Sequence, residues 1–295
     1  MKNKILIILC FFFVLSCSKT TKIEQNSNTY ENNTKKDYEL FSLGNQLIEK
    51  NDLLNAIEEM NKIQILYPNS PYSAKARLVN SYIYFLKGEY EKTRADAQNF
   101  IKYYPGNKDI IYAYYLDAMT NYVLIKKPNY DQKNAIEAKN KFIFINNAFP
   151  KNKYEQDISL KLNIIDNSLA NQLVLIGNFY EEQKNYSAAL NYYLEIFDNY
   201  EKTLIIEETL YLIIKSYIKL EEEELAIKYA SILGYNYSKS KWYKKSYNLL
   251  KNISPETVNN KKWYEKFNPI KLLLKEKIDK ENKWFEPKKP KFKLF

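Results

Sequence analysis

The stretch LGNQLIEKNDLLNAIEEMNKIQILYPNSPYS, residues 43–73, decides the fold. Its apolar residues recur at helical spacing, and an Asn-Asp pair divides it in two. Gly44 and Ala56 are small residues placed where two helices would cross, and Tyr67-Pro68 closes the second helix. This arrangement predicts two antiparallel helices joined by a short turn.

The same pattern returns along the chain as far as about Leu250, in helical segments of about 12 to 18 residues. Pro105 follows Pro68 by 37 residues and closes a second unit. A period near 34 residues, with small residues at helix crossings and a proline after the second helix, is typical of the tetratricopeptide repeat (TPR). We therefore predict an all-α protein built as a TPR helical-hairpin array of about five repeats, a curved solenoid in which neighbouring units bury each other.

The first eighteen residues, MKNKILIILCFFFVLSCS, predict an export signal. Lys2 and Lys4 precede an apolar run from Ile5 to Leu15, which is too short to span a bilayer. The run ends in a Val-Leu-Ser-Cys string that is similar to the bacterial lipobox. We expect a mature chain that begins at an acylated Cys17 and is held to a membrane by its acyl chains. A plain secretory signal with an incidental cysteine is the alternative.

Composition argues against an enzyme. Histidine, the commonest general base and metal ligand, is absent, and the two cysteines are Cys10, inside the signal, and Cys17. No glycine-rich phosphate-binding motif occurs among the five glycines. We therefore predict no catalytic residues, no metal and no cofactor, apart from the acyl and diacylglyceryl groups on Cys17.

Lysine is concentrated at the C-terminal end. From Lys239 to Phe295 there are 17 lysines and 6 acidic residues, so this end has a net charge of +11, against +10 for the whole chain. An acidic protein surface or anionic lipid head groups would suit such a segment, and an exported lipoprotein would meet no nucleic acid. A solvated lysine-rich tail is the alternative.

These features divide the chain into five segments. They are a lipoprotein signal peptide (1–16), a flexible leash from Cys17 (17–36), TPR repeats 1–3 (37–170), TPR repeats 4–5 with a last helix (171–254) and a basic tail (255–295).

The residues along one face of the first helix of each repeat predict an apolar, aromatic concave surface. Such a surface suits an extended peptide with aromatic side chains of its own. Packing against a neighbouring helix would explain the same residues. The candidates are Tyr38, Phe41, Asn45 and Ile48 in the first repeat and Lys75, Leu78, Tyr82 and Phe85 in the second repeat.

Several strings resemble one known family. The first repeat ends in YPNSPYS, which a generic TPR unit does not require, and SKSKWY at 238–243 precedes the last helix. With the lipobox, these strings resemble the BamD family, the lipoprotein component of the machine that inserts β-barrel proteins into the outer membrane of Gram-negative bacteria. The motif residues are Tyr67, Pro68, Ser70, Pro71, Tyr72 and Ser73.

The resemblance implies a scaffold tethered to the periplasmic side of the outer membrane. It implies docking on the POTRA domains of BamA, contact with other subunits of the BAM complex and reception of unfolded β-barrel precursors by the N-terminal repeats. The C-terminal repeats would contact BamA, with Lys239, Lys241, Trp242 and Tyr243 as docking candidates. Fold alone does not determine function, so a TPR lipoprotein that organises cell-wall or division machinery is the alternative.

Overall fold

The computed structural model describes residues 27–258 and 263–264, with side chains from Lys36 onward. This part of the chain is helical and contains no strand, which confirms the all-α prediction. The helices are α1 (Ser27–Glu49), α2 (Leu53–Leu66), α3 (Pro71–Leu86), α4 (Tyr90–Tyr103), α5 (Ile110–Tyr122), α6 (Lys133–Ala148), α7 (Glu155–Glu182), α8 (Tyr186–Asn199), α9 (Ile206–Lys219), α10 (Glu223–Tyr237), α11 (Lys241–Ile253) and α12 (Pro255–Val258).

Consecutive helices form hairpins, as the TPR prediction requires. Helix α1 packs on α2, α5 on α6, α7 on α8 and α9 on α10, and the Ser81 hydroxyl of α3 donates to the Thr93 carbonyl of α4 at 2.9 Å. The chain divides into two compact units, residues 1–76 and 77–295. The predicted boundary between repeats 3 and 4, at residues 170 and 171, lies inside α7.

Four of the hairpins share one turn conformation. The residue just before the N-cap of the second helix has a positive φ, near 60° in three turns and 75° in the fourth. This is the left-handed region, which a chain uses to reverse direction between two helices. The residues are Asn51, Gly88, Lys184 and Glu221.

The first unit is closed by a tight helix crossing. A Cβ atom added to Gly44 of α1 would lie 2.5 Å from Cε of Met60 on α2. Ala56 and Met60 are fully buried on the same side of α2. The glycine therefore lets the two helices approach, as the sequence predicts.

Helix α1 starts earlier than the sequence suggests. Residues 17–36 were predicted as a flexible leash, yet the helix begins at Ser27, while 17–26 lie outside the described residues. Asn and Thr in this segment favour turns over helix. Once residues further on are held against α2, however, each added helical residue gains a backbone hydrogen bond without a new nucleation cost.

The second unit contains two buried clusters. One surrounds Phe142 and Ile165, and the other surrounds Tyr193 and Ile213. Trp263, which the sequence placed in the basic tail, is fully buried in the second cluster. The C-terminal segment therefore contributes to the core at this position.

Helix α7 has 28 residues, longer than the predicted 12 to 18. Its asparagines do not interrupt it. The side-chain amide of Asn167 donates to the Asn163 carbonyl, and that of Asn171 donates to the Asn167 carbonyl, each at 2.7 Å. Each side chain thus bonds back to the preceding turn, so its amide finds a partner while the backbone stays helical.

Candidate functional site

Three aromatic rings meet on the surface of the first unit. The Tyr72 ring of α3 lies 5.8 Å from the Tyr38 ring and 5.2 Å from the Phe41 ring of α1, measured between centroids. The Lys75 Nζ atom lies 5.1 Å from the Tyr72 centroid. Tyr38 is half exposed. We call Tyr38, Phe41 and Tyr72 the first-unit aromatic cluster, which offers apolar faces beside a positive charge.

The YPNSPYS motif builds the turn that places Tyr72. The Tyr67 N–H closes α2 by donating to the Ile63 carbonyl at 2.9 Å, and the Ser70 N–H donates to the Tyr67 carbonyl at 3.0 Å. Ser70 Oγ then accepts from the Tyr72 N–H at 2.9 Å, and the Ser73 N–H donates to the Ser70 carbonyl at 3.0 Å. Pro68 follows α2, and Pro71 is the first residue of α3, where its missing N–H costs nothing.

Sequence reasoning missed Asp37, which joins this turn to α1. Asp37 is buried; its Oδ1 atom accepts from the Tyr38 N–H at 2.7 Å, and its Oδ2 atom accepts from the Ser70 hydroxyl. A single aspartate after two lysines gives no sequence signal of burial.

The other concave-surface candidates lie in different surroundings. Ile48 is half buried on α1. In the second unit the Tyr82 ring lies 6.4 Å from the Tyr112 ring, and the Phe85 ring lies 5.6 Å from the Tyr90 ring. Leu78 is buried. Leu78 therefore packs in the interior, and we leave it out of the candidate surface.

A tyrosine stack in the second unit extends from Tyr82 and was not predicted. Tyr154, just before α7, stacks on Tyr112 at 6.0 Å and on Tyr115 at 4.5 Å. The Tyr115 hydroxyl donates to Asp157 Oδ2 at 2.6 Å. Burial raises the pKa of the Tyr112 and Tyr115 phenols, so both remain neutral donors. The rings come from α3, from α5 and from the residue just before α7, which no local pattern brings together.

Lys161 forms an ion pair with Asp157 beside this stack. Its ammonium donates to Asp157 Oδ1 at 2.6 Å. Burial alone would raise the pKa of Asp157, but the hydrogen bonds from Lys161 and Tyr115 outweigh burial and lower it. The carboxylate is therefore ionised at neutral pH and holds α7 to the stack.

The C-terminal docking candidates lie around the start of α11. The Trp242 ring packs 5.2 Å from Tyr211, and the Nζ atoms of Lys241 and Lys245 lie 4.9 Å and 4.3 Å from the Trp242 ring. The Tyr243 ring meets that of Tyr264 at 5.7 Å, and Lys239 is exposed. Helix α11 carries four lysines and no acidic residue. This end of the second unit is therefore a positively charged surface.

Cys17 lies outside the described residues. Among those that are described, no helix is long and apolar enough to cross a membrane, and no group of three or more acidic residues is arranged to hold a metal ion.

Comparison with known proteins gives consistent matches. The model of a family described as "Outer membrane lipoprotein" (YfiO) matches residues 33–233. An outer membrane protein assembly factor BamD of Rickettsia prowazekii is 39% identical over 72% of this chain and 85% of its own length. The BamD of Caulobacter vibrioides is 26% identical over 72% of this chain and 69% of its own. Among solved structures, the TPR domain of P58(IPK) is 16% identical, with a TM-score of 0.37, over 83% of this chain and 67% of that one.

Proposed function

Because the chain belongs to the outer membrane lipoprotein family that includes the BamD assembly factors, we propose that it is a lipoprotein subunit of the BAM complex. In this role it is a non-enzymatic scaffold that docks on BamA and receives β-barrel precursors for insertion into the outer membrane. The observation that carries the proposal is the family match over residues 33–233, which reaches from α1 into α10. The absence of histidine supports a role without catalysis.

The first-unit aromatic cluster is the proposed receptor for the aromatic-rich C-terminal signal of a precursor. The centroids of the Tyr38 and Phe41 rings lie 5.8 Å and 5.2 Å from that of Tyr72, and Tyr38 is open to solvent. Aromatic side chains of a peptide can stack on such rings. Lys75, beside Tyr72, adds a positive charge that attracts a terminal carboxylate.

We expect Tyr38→Ala combined with Tyr72→Ala to weaken binding of a precursor C-terminal peptide by at least about tenfold, because two contact rings are removed. Fluorescence anisotropy with a labelled peptide measures the dissociation constant. Tyr103→Ala is the matched control, since Tyr103 is an exposed tyrosine of the second unit. An unchanged affinity in the double variant, or an equal loss in the control, would exclude the cluster as the receptor.

The basic surface around α11 is the proposed contact with the POTRA domains of BamA. Lys239 and Lys241 supply exposed charge, and the packed rings of Trp242 and Tyr243 supply a rigid base. Tryptophan and tyrosine are frequent anchors at protein interfaces.

A pull-down of the tagged full chain from detergent-solubilised outer membrane tests the proposal as a whole. We expect BamA as the dominant partner, with other BAM subunits beside it. Recovery of cell-wall synthases or division proteins in place of BamA would refute the proposed function.

Anchoring through Cys17 is the remaining part of the proposal. Acyl groups on this residue would hold the chain at the periplasmic face of the outer membrane. Anchoring beside BamA would also raise the effective concentration of the two proteins. Metabolic labelling with a palmitate analogue tests this, and an unlabelled Cys17 would contradict it.

A further inference from the structure

Helix α7 exposes four large apolar side chains along one side. Leu160, Ile164, Leu175 and Phe179 are each between 49% and 59% exposed. They form two pairs spaced four residues apart, so the members of each pair lie one turn above each other. A row of this kind is more than the scattered single apolar residues of an ordinary surface.

This side of α7 is also nearly free of charge. Between Leu160 and Tyr180 the charged residues are Lys161, which pairs with Asp157 of the same helix at 2.6 Å, and Asp166, which pairs with Lys139 of α6 at 2.7 Å, whereas 27% of the whole chain is charged. Depletion of charged residues marks the central part of a protein interface, because a charge buried there without a partner weakens binding.

A loop held by hydrogen bonds borders the row on one side. The buried Gln132 amide donates to the carbonyls of Lys127 at 2.9 Å and Tyr130 at 3.1 Å, and its Oε1 atom accepts from Ser168 of α7 at 3.2 Å. Gln172 of α7 donates to the Tyr130 carbonyl at 3.3 Å. Tyr130 itself is 55% exposed. The loop therefore holds an open aromatic ring beside α7.

A second loop borders the row on the other side. The Leu204 N–H donates to Asn167 Oδ1 at 2.9 Å, while the Leu204 side chain is 93% exposed. A cleft of about 250 Å³ separates this loop from α7, and the side chains of Asn163 and Asn199 are among those that line it. The α7 row thus lies between an exposed tyrosine and an exposed leucine.

From these features we infer a second polypeptide-binding surface, the α7 face, formed by Leu160, Ile164, Leu175, Phe179, Tyr130 and Leu204. Its ligand is an extended segment with alternating apolar and uncharged polar side chains. Apolar residues one helical turn apart are about 6 Å apart along α7. Alternate side chains of an extended chain are about 6.8 Å apart, so two of them can follow each pair.

The polar groups of the α7 face favour an extended ligand over a helix. Carboxamides such as those of Asn171 and Gln172 lie between the two apolar pairs. Each already donates one amide hydrogen to a carbonyl of this chain, and its second amide hydrogen and its oxygen can bond the backbone C=O and N–H groups that an extended chain leaves open, whereas a helix satisfies its own. Since the bordering loops are already held by hydrogen bonds, little order has to be created on binding.

The source of this ligand rests on the proposed function. Membrane strands of a barrel precursor alternate apolar and polar residues, which is the pattern that the α7 face fits. The face would thus take internal strand segments, while the first-unit aromatic cluster takes the C-terminal signal.

Peptide binding to the full chain tests the inference. The probe is a labelled ten-residue peptide in which Val and Thr alternate, and the reference peptide has the same residues with all Val in one half. We expect tighter binding of the alternating peptide, and about a tenfold loss for Ile164→Asn combined with Leu175→Asn. The control Leu54→Asn alters an exposed leucine of α2 and should leave the affinity unchanged.

Equal affinity for the two peptides, or no loss in the Ile164 and Leu175 variant, would overturn the inference. Circular dichroism melting of each variant shows whether a loss reflects unfolding. Should a variant melt early, Ile164→Ser replaces it.

A photo-crosslinker at position 164 of the membrane-bound full chain identifies the occupant in cells. Crosslinks to unfolded precursors of several sizes support the inference. A crosslink to one folded subunit, or to residues 265–295 of the same chain, overturns it. The same crosslinker at position 38 separates the two claims: capture of precursors at 38 alone refutes only the α7 face, and capture at neither position refutes the proposed function as well.

Discussion

Gly177→Ala is expected to lower the free energy of unfolding of the second unit by about 2 kcal/mol. A Cβ atom at this position of α7 would lie 2.9 Å from both Cδ1 and Cζ of Tyr193 and closer still to Cε1. The Tyr193 ring cannot move aside easily, because it is fully buried and its hydroxyl donates to Asn178 Oδ1 at 2.8 Å. Overpacking costs about 1–3 kcal/mol, and a contact this close with a ring that cannot move lies at the upper end, about 3 kcal/mol. The gain of about 1 kcal/mol from replacing a helical glycine leaves a net loss of about 2 kcal/mol.

Chemical denaturation followed by circular dichroism measures this loss. Gly106→Ala is the matched control, since a Cβ atom there meets nothing within 4 Å, and its unfolding midpoint should not fall. The loss of stability in Gly44→Ala should lie between those of the other two variants, because the atom that its Cβ would meet is the flexible end of Met60. A Gly177→Ala protein more stable than the wild type would show that the crossing of α7 and α8 is looser than described.

Asp117→Ala is expected to cost about 2–3 kcal/mol of stability. Asp117 is buried on α5 and pairs with Lys141 of α6 at 2.8 Å and with Arg94 of α4 at 3.9 Å. Removing one member of a buried ion pair leaves its partners without compensation, which costs about 3–5 kcal/mol in a fully buried site. The Lys141 and Arg94 side chains are 29% and 25% exposed, so water offsets part of this loss.

A second acidic partner of Arg94, the exposed Glu91, provides the control. Glu91 pairs with Arg94 at 3.4 Å, but its side chain is 82% exposed. Exposed pairs contribute about 0–1 kcal/mol, so Glu91→Ala should barely change the unfolding midpoint. Equal losses in Asp117→Ala and Glu91→Ala would contradict the importance of burial at Asp117.

Local sequence patterns predicted much of the fold. Gly44 was interpreted as a site of close helix approach, and it lies against the Met60 side chain of the partner helix. The predicted end of α2 at Tyr67-Pro68 is confirmed as well. These features depend on residues near in the chain, which is why spacing alone could reveal them.

The candidate site was less predictable. Tyr38 and Phe41 lie together on the surface, but the neighbouring candidate Leu78 is buried. Helical spacing identifies residues that share a face, yet a TPR helix packs on more than one side, so spacing cannot tell which face remains open. Asp37 was missed because its partner Ser70 is 33 residues away.

By itself, the sequence determined the helical class, the hairpin repeat and the small residues at helix crossings. Each of these follows from the side-chain period of one helix and from turn chemistry within a few residues. The tertiary structure alone decided that Tyr154 would join Tyr112 and Tyr115 and that α7 would keep an apolar row uncovered. Burial depends on which distant helices come to lie alongside, and no local pattern contains that information.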